Sequence, residues 1–93
     1  MDYMTELRNY LDAQGRLKGW PSKRNKSRFQ QLAMEYLATK FEPDMYYNER
    51  EVNAILNQHH TFEDPALLRR ELFERGLLDR VKSGAAYWLK ERD

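Results

Sequence analysis

Residues 46–88 read YYNEREVNAILNQHHTFEDPALLRRELFERGLLDRVKSGAAYW, and they contain the strongest signals for the architecture of the chain. This stretch begins with two short helical patterns. Asn48 precedes the first, and Glu51 follows Asn48 at the spacing of a capping box, with Asn in place of Ser or Thr. Asp64 followed by Pro65 predicts the start of a second helix, and Gly76 predicts its end.

The last part of this stretch predicts a β-hairpin. Ser83 and Gly84 separate the runs 77–82 and 85–90, and Gly84 can adopt the positive φ that a tight turn needs. A turn there sets a register in which two cross-strand pairs share one face of the hairpin, Leu78 with Leu89 and Arg80 with Tyr87.

Two further helices are predicted upstream. Tyr3, Leu7, Tyr10 and Leu11 form an amphipathic stripe before Gly15, which predicts the helix end. A longer helix ends before Pro43, and its apolar residues recur at helical spacing. They are Phe29, Leu32, Ala33, Tyr36, Leu37 and Phe41.

These elements predict one domain over residues 1–93, because a chain of this length has room for one small core. Its expected parts are an N-terminal helix over 1–15, a scaffold helix over 22–42, a helix pair over 48–58 and 64–75, and a hairpin over 77–90. The expected fold class is mainly α with a small β-hairpin, in the order typical of a winged helix-turn-helix.

The composition excludes several functional classes. The chain has no cysteine, which excludes disulfides and thiolate metal sites and favours a reducing, cytoplasmic location. Its start lacks the apolar run of a signal peptide, and charges interrupt every candidate membrane span, so we expect no membrane partner. The net charge is only +1. Charge is nevertheless polarised, since residues 13–34 contain no acid while residues 35–64 contain seven.

Several blocks of the chain resemble the domain-of-unknown-function 2087 family. They are GRLKGWPSK at 15–23, QQLAMEYLATKF at 30–41, YNEREVNAIL at 47–56, DPALLRREL at 64–72, GLLDR at 76–80 and GAAYW at 84–88. Members of that family occur in bacteria as short stand-alone proteins or attached to helix-turn-helix regulators. The resemblance therefore implies transcriptional regulation as a context and assigns no site residues.

The candidate nucleic-acid-binding residues fall into three groups. The second helix of the pair would enter the major groove with Arg69 and Arg70, and the hairpin would follow the backbone with Arg80 and Lys82. The third group lies at the start of the scaffold helix, where the macrodipole disfavours cations and an anionic partner would reverse that penalty. It contains Lys23, Arg24, Lys26 and Arg28.

Each group also has a simpler interpretation. The basic residues at 23–28 are equally typical of a charged segment that contacts only solvent. Glu71 and Arg75 have the spacing of an ion pair on a helix surface. Trp20, Tyr87 and Trp88 have the rings to stack on single-stranded bases, but such rings in a small domain favour the core.

Metal binding and catalysis have little support in the sequence. His59 and His60 stand near Glu63 and Asp64, but adjacent histidines point in different directions and Asp64 is needed as a helix cap. A polar loop with one histidine against the core is the simpler interpretation. No phosphate loop, nucleophile elbow or zinc motif is present, so we expect neither an enzyme nor a bound cofactor.

The sequence therefore leaves two functions open. The first is a bacterial module that binds DNA or is associated with transcriptional regulation. The second is a protein-interaction module, or a homodimer, that uses the same fold without nucleic acid, with Leu67 and the stripe from Tyr3 to Leu11 as its contact surface.

Overall fold

The helices and strands follow the predicted order. The computed structural model describes residues 3–91, without the side chains of Tyr3 and Met4. The helices are α1 (Tyr3–Leu7), α2 (Lys26–Ala38), α3 (Glu49–Asn57) and α4 (Pro65–Glu74), with a 3-10 turn at Arg8–Tyr10, and the strands are β1 (Leu78–Arg80) and β2 (Tyr87–Leu89). The described chain is therefore mainly helical, with a small two-stranded antiparallel sheet.

The hairpin has the predicted register. Leu78 lies opposite Leu89 and Arg80 lies opposite Tyr87, and Gly84 has the expected positive φ of 79°. A third segment joins the sheet at one point, where Tyr47 and Tyr87 each donate a backbone N–H to the other's carbonyl at 2.8 and 2.7 Å. This bridge ties the chain just before α3 to the strand that closes the hairpin.

The predicted caps of α3 and α4 are confirmed. The Asn48 side chain accepts the Glu51 N–H at 2.7 Å, while the Glu51 carboxylate accepts the Asn48 N–H at 2.8 Å. Asp64 accepts the Leu67 N–H at 3.1 Å, with Pro65 in the first turn of α4. Gly76 follows the helix with a φ of 75°. Local side-chain chemistry thus determines where both helices begin.

The prediction of one helix over residues 1–15 was wrong. The helix ends at Leu7, a 3-10 turn follows, and Leu11 then pairs with Leu17 in an antiparallel bridge. Asp12 causes the reversal, because its carboxylate accepts the N–H groups of Gln14 and Arg16 at 2.9 and 2.8 Å. The bond from the Arg16 N–H is the largest influence lowering the pKa of this carboxyl. Residues 1 and 2 and the Tyr3 side chain lie outside the described residues.

The scaffold helix is shorter than the predicted range 22–42. It begins at Lys26, because Asn25 takes a left-handed φ of 58° that a helix cannot include. It ends at Ala38, and Phe41 closes a following turn by donating its N–H to the Ala38 carbonyl at 3.2 Å. Phe41 is still buried, at 3% exposure.

One hydrophobic core joins the helices to the inner face of the hairpin. Its members are Leu7, Leu17, Ala33, Met34, Tyr36, Leu37, Ala38, Phe41, Tyr47, Val52, Leu56, Leu68, Leu72, Leu77, Leu78 and Tyr87. The stripe from Tyr3 to Leu11 was a predicted contact surface for a protein partner. Leu7 of this stripe is instead fully buried in the core, and Leu11 packs against the same cluster. The core therefore takes up the amphipathic stripe of the N-terminal segment.

His60 joins the end of α3 to the start of α4. Its side chain is buried, and its Nδ1 lies 2.6 Å from the Leu56 carbonyl oxygen while its Nε2 accepts the Asp64 N–H at 2.9 Å. This pairing requires the neutral tautomer with the proton on Nδ1. Phe62 covers the ring edge-to-face, with centroids 4.8 Å apart. One side chain thus satisfies backbone groups on both sides of the interhelical connection.

Replacing His60 by leucine should destabilise the fold. His60→Leu leaves the Asp64 N–H and the Leu56 carbonyl without their partner, so we expect the free energy of unfolding to fall by about 2–4 kcal/mol in urea titrations. His59→Leu is the matched control, since the His59 side chain makes no hydrogen bond within residues 3–91. Equal losses in both variants would show that His60 does not link the two helices in this way.

Candidate nucleic-acid interface

A groove runs between the outer face of α4 and the hairpin. Helix α4 buries Leu68 and Leu72, and its exposed side includes Arg70 and Glu74. The groove has a volume of about 350 Å³ and is lined by Ala66, Arg69, Arg70, Phe73, Glu74, Arg80 and Tyr87. Three of the predicted site residues, Arg69, Arg70 and Arg80, therefore meet at this place.

Arg80 is held against α4 by an aromatic ring. Its guanidinium carbon lies 4.2 Å from the centroid of the Phe73 ring, a cation–π contact that leaves the N–H groups free to bind elsewhere. Phe73 is half-buried under this cation. The contact explains why Arg80, although exposed, has a defined position in the groove.

Arg69 is engaged within the protein. Its guanidinium donates a hydrogen bond to the Asn53 side-chain oxygen and lies 3.5 Å from a Glu49 carboxylate oxygen. Only 19% of the Arg69 side-chain surface is exposed to solvent. To contact an external ligand fully, Arg69 would have to exchange these partners on α3.

Arg70 and Lys82 are exposed and unpaired within residues 3–91. Arg70 lies on the open side of α4, and Lys82 lies in the hairpin turn. Neither side chain must break an ion pair before it binds an anion. They are thus the most available of the predicted cations around the groove.

The basic residues at the start of α2 form a separate group. Lys23, Arg24 and Lys26 are exposed, whereas Arg28 forms an ion pair with Glu6 of α1. Asn25, which precedes α2, makes no capping hydrogen bond with its side chain. The structure therefore leaves three of these four predicted cations open to solvent and partly neutralises the fourth.

Arg75 connects this part of α2 to the end of α4. Its guanidinium donates to Glu71 at 2.9 Å, to Gln31 at 3.0 Å and to Gln30 at 3.1 Å. The predicted Glu71–Arg75 pair is confirmed, but the bonds to α2 were missed because they join residues far apart in sequence. They fix the C-terminal end of α4 against the second turn of α2.

The structure gives little support to base stacking by Tyr87 and Trp88. Tyr87 is a core residue at 1% exposure, which leaves its ring no face for stacking on bases. Trp88 is half-buried and meets Tyr46 edge-to-face, with centroids 5.4 Å apart.

The two adjacent histidines have separate environments. Burial, and to a smaller extent Lys40, lowers the pKa of His59, and both ring nitrogens of His60 are hydrogen-bonded to backbone groups. Within residues 3–91 no cluster of three metal-ligating side chains is present.

Comparison with known proteins gives one match. Residues 16–89 match a family described as an uncharacterized protein conserved in bacteria, DUF2087. No curated protein and no solved structure matches the chain significantly. In the described part of the chain, every helix is too short or too polar to cross a bilayer.

The contacts of Arg75 can be tested by a conservative change. Arg75→Lys keeps the charge but cannot reproduce three divergent hydrogen bonds, so we expect the free energy of unfolding to fall by about 1–2 kcal/mol. Arg70→Lys, the same change at an exposed position of α4, should alter it by less than about 0.5 kcal/mol. Urea unfolding of both variants makes the comparison, and an unaffected Arg75→Lys protein would contradict the account of how α4 is anchored.

Proposed function

We propose that this chain, which belongs to the DUF2087 family of bacterial proteins, is a winged helix-turn-helix module that binds double-stranded DNA in transcriptional regulation. The observation that carries the proposal is the groove in which Arg69 and Arg70 of α4 meet Arg80 of the hairpin. A helix and a hairpin that present cations to one groove suit the shape and charge of a duplex.

The order and pairing of the elements support this fold. Helices α3 and α4 follow one another across a short connection and pack together, and the hairpin follows α4 directly. The Tyr47 segment pairs with β2 before α3 begins. In this proposal α4 is the helix that faces the major groove, and the hairpin is the wing beside the DNA backbone.

The charges favour contacts to phosphates over base readout. Glu74 lies among the arginines of the groove, and an acid there opposes close approach to a polyanion. Arg70, Arg80 and Lys82 stay exposed, and the start of α2 adds Lys23, Arg24 and Lys26. Phosphate contacts of this kind contribute affinity without sequence information.

Protein interaction is the second candidate, and one observation favours it. Met45 and Tyr46 remain 45% and 72% exposed, and Tyr46 contacts Trp88. Such a patch is a more suitable contact surface than the stripe expected from the sequence, because Leu7 of that stripe is fully buried. Leu67, the other expected contact residue, is half-buried.

The salt dependence of binding tests the DNA proposal. With a random-sequence duplex followed by fluorescence anisotropy, log K should fall linearly with log salt, by about 0.9 for each phosphate contact. The double variant Lys23→Ala/Arg24→Ala should make that slope shallower by roughly 2.

Arg8→Ala/Lys18→Ala is the matched control, since it removes one exposed arginine and one exposed lysine elsewhere. It should leave the slope nearly unchanged. If the wild-type chain binds no duplex at low salt, and light scattering shows a mass that rises with concentration, protein interaction is the correct function.

Removing the negative charge of Glu74 in the groove should raise the affinity for DNA. Glu74→Gln removes a negative charge beside the arginines, so affinity for the duplex should rise about threefold at low salt, in keeping with a screened charge interaction of less than about 1 kcal/mol. Glu42→Gln, an exposed glutamate outside the groove, should have no effect in the same anisotropy titration. An unchanged or weaker Glu74→Gln complex would place the DNA elsewhere.

A further inference from the structure

Tyr87 has a hydroxyl group that makes no hydrogen bond within residues 3–91. Three tyrosines of the described chain are buried, and the hydroxyls of two of them are hydrogen-bonded. Tyr36 donates to the Gly15 carbonyl at 2.6 Å, and Tyr47 accepts the Glu42 N–H at 2.9 Å. Tyr87 is the most buried of the three, at 1% exposure, and its hydroxyl has no partner within residues 3–91. A phenylalanine would fill the same space without a polar group.

Tyr87 lies where the groove between α4 and the hairpin meets the core. No side-chain nitrogen or oxygen of the described residues is both fully sealed from solvent and unpartnered, so the Tyr87 hydroxyl must keep a narrow opening. Tyr87 lines the groove that also holds Arg70 and Arg80. The hydroxyl lies beside the hairpin turn, since a Cβ built on Gly84 would come within 3.7 Å of it.

We propose that this groove is the seat of one phosphate group, in which the Tyr87 hydroxyl is a neutral donor beneath the guanidiniums of Arg70 and Arg80. Two guanidiniums offer only donors, and a phenol can donate its one hydroxyl hydrogen, to a ligand that accepts on several oxygens. Glu74 is the one acid among the described residues that line the groove, and it is exposed, so solvent screens its charge. The inference deepens the proposed function, because a DNA backbone is then the source of the phosphate.

The register of the hairpin explains why these groups converge. Arg80 and Tyr87 are directly paired across the strands, so their side chains leave the same face. That face packs on α4, where Phe73 holds the Arg80 guanidinium. The donors therefore belong to paired strands and a packed helix, which gives the seat a defined shape before any ligand binds.

The test compares two identical deletions of a phenol hydroxyl. With the full chain and a random-sequence duplex, Tyr87→Phe should weaken binding about tenfold, while Tyr46→Phe, at a tyrosine that is 72% exposed and outside the groove, should not weaken it. Because the lost donor is neutral, Tyr87→Phe should leave the slope of log K against log salt unchanged, whereas Arg80→Gln should make it shallower by about 0.9.

Stability measurements separate a ligand contact from a structural one. Without ligand, Tyr87→Phe should unfold at the same or a higher urea concentration than the wild-type chain, because no internal hydrogen bond is lost. A less stable Tyr87→Phe protein would overturn the proposal by showing that the hydroxyl has an internal partner. Equal duplex affinity for Tyr87→Phe and the wild-type chain would also overturn it.

Inorganic phosphate distinguishes failure of this inference from failure of the proposed function. In amide-resolved NMR titrations against chloride at equal ionic strength, phosphate should shift signals of residues 80–87 in the wild-type chain, with smaller shifts in Tyr87→Phe. If duplex does not bind but phosphate produces this pattern, the seat is real and its ligand is a free phosphate. If neither probe shifts these signals, the proposal of a phosphate seat is wrong.

Discussion

The register of the β-hairpin is the constraint on which the candidate site depends. Side chains alternate between the faces of a strand, so a slip of one residue would exchange the buried and the open set. Pairing Leu78 with Leu89 directs Leu78 into the core and places Arg80 beside Tyr87. The two backbone hydrogen bonds between Tyr47 and Tyr87 lock β2 to the segment that leads into α3. The same arrangement that completes the core therefore forms the wall of the groove.

Internal ion pairs decide which cations of a chain with net charge +1 remain free to meet a ligand. Arg16, Arg28, Arg69 and Arg75 are each paired with an acid of the same chain. These pairs connect elements or stabilise turns, and they neutralise equal numbers of both signs. Arg70, Arg80 and Lys82 remain unpaired within residues 3–91. Net charge thus describes the composition of the chain, while the pairing pattern describes the field that a ligand meets.

Features that depend on neighbouring residues could be predicted from the sequence. The caps at Asn48 and Asp64 use side chains that act on the adjacent turn of backbone, and the hairpin register follows from the glycine at its turn. The N-terminal helix was mispredicted because Asp12 competes for backbone N–H groups and reverses the chain between Asp12 and Arg16. An amphipathic stripe alone does not reveal that competition.

The candidate site was predictable only in part, because it depends on tertiary packing. Charge and element order pointed to Arg70, Arg80 and Lys82, but nothing local shows that Arg69 is held by α3 or that Phe73 lies under Arg80. The Tyr87 hydroxyl was missed because the position of an aromatic residue in the sequence can predict that its ring is buried. It does not predict whether the hydroxyl has a hydrogen-bond partner.

The most direct test is to map the duplex onto the protein by amide-resolved NMR. On addition of a random-sequence duplex at low salt, we expect shifts along the exposed side of α4, through residues 80–87 and at the start of α2. Shifts confined to residues 44–46 and 88–91, around the exposed Tyr46 and its neighbour Trp88, would contradict it, as would the absence of any shift.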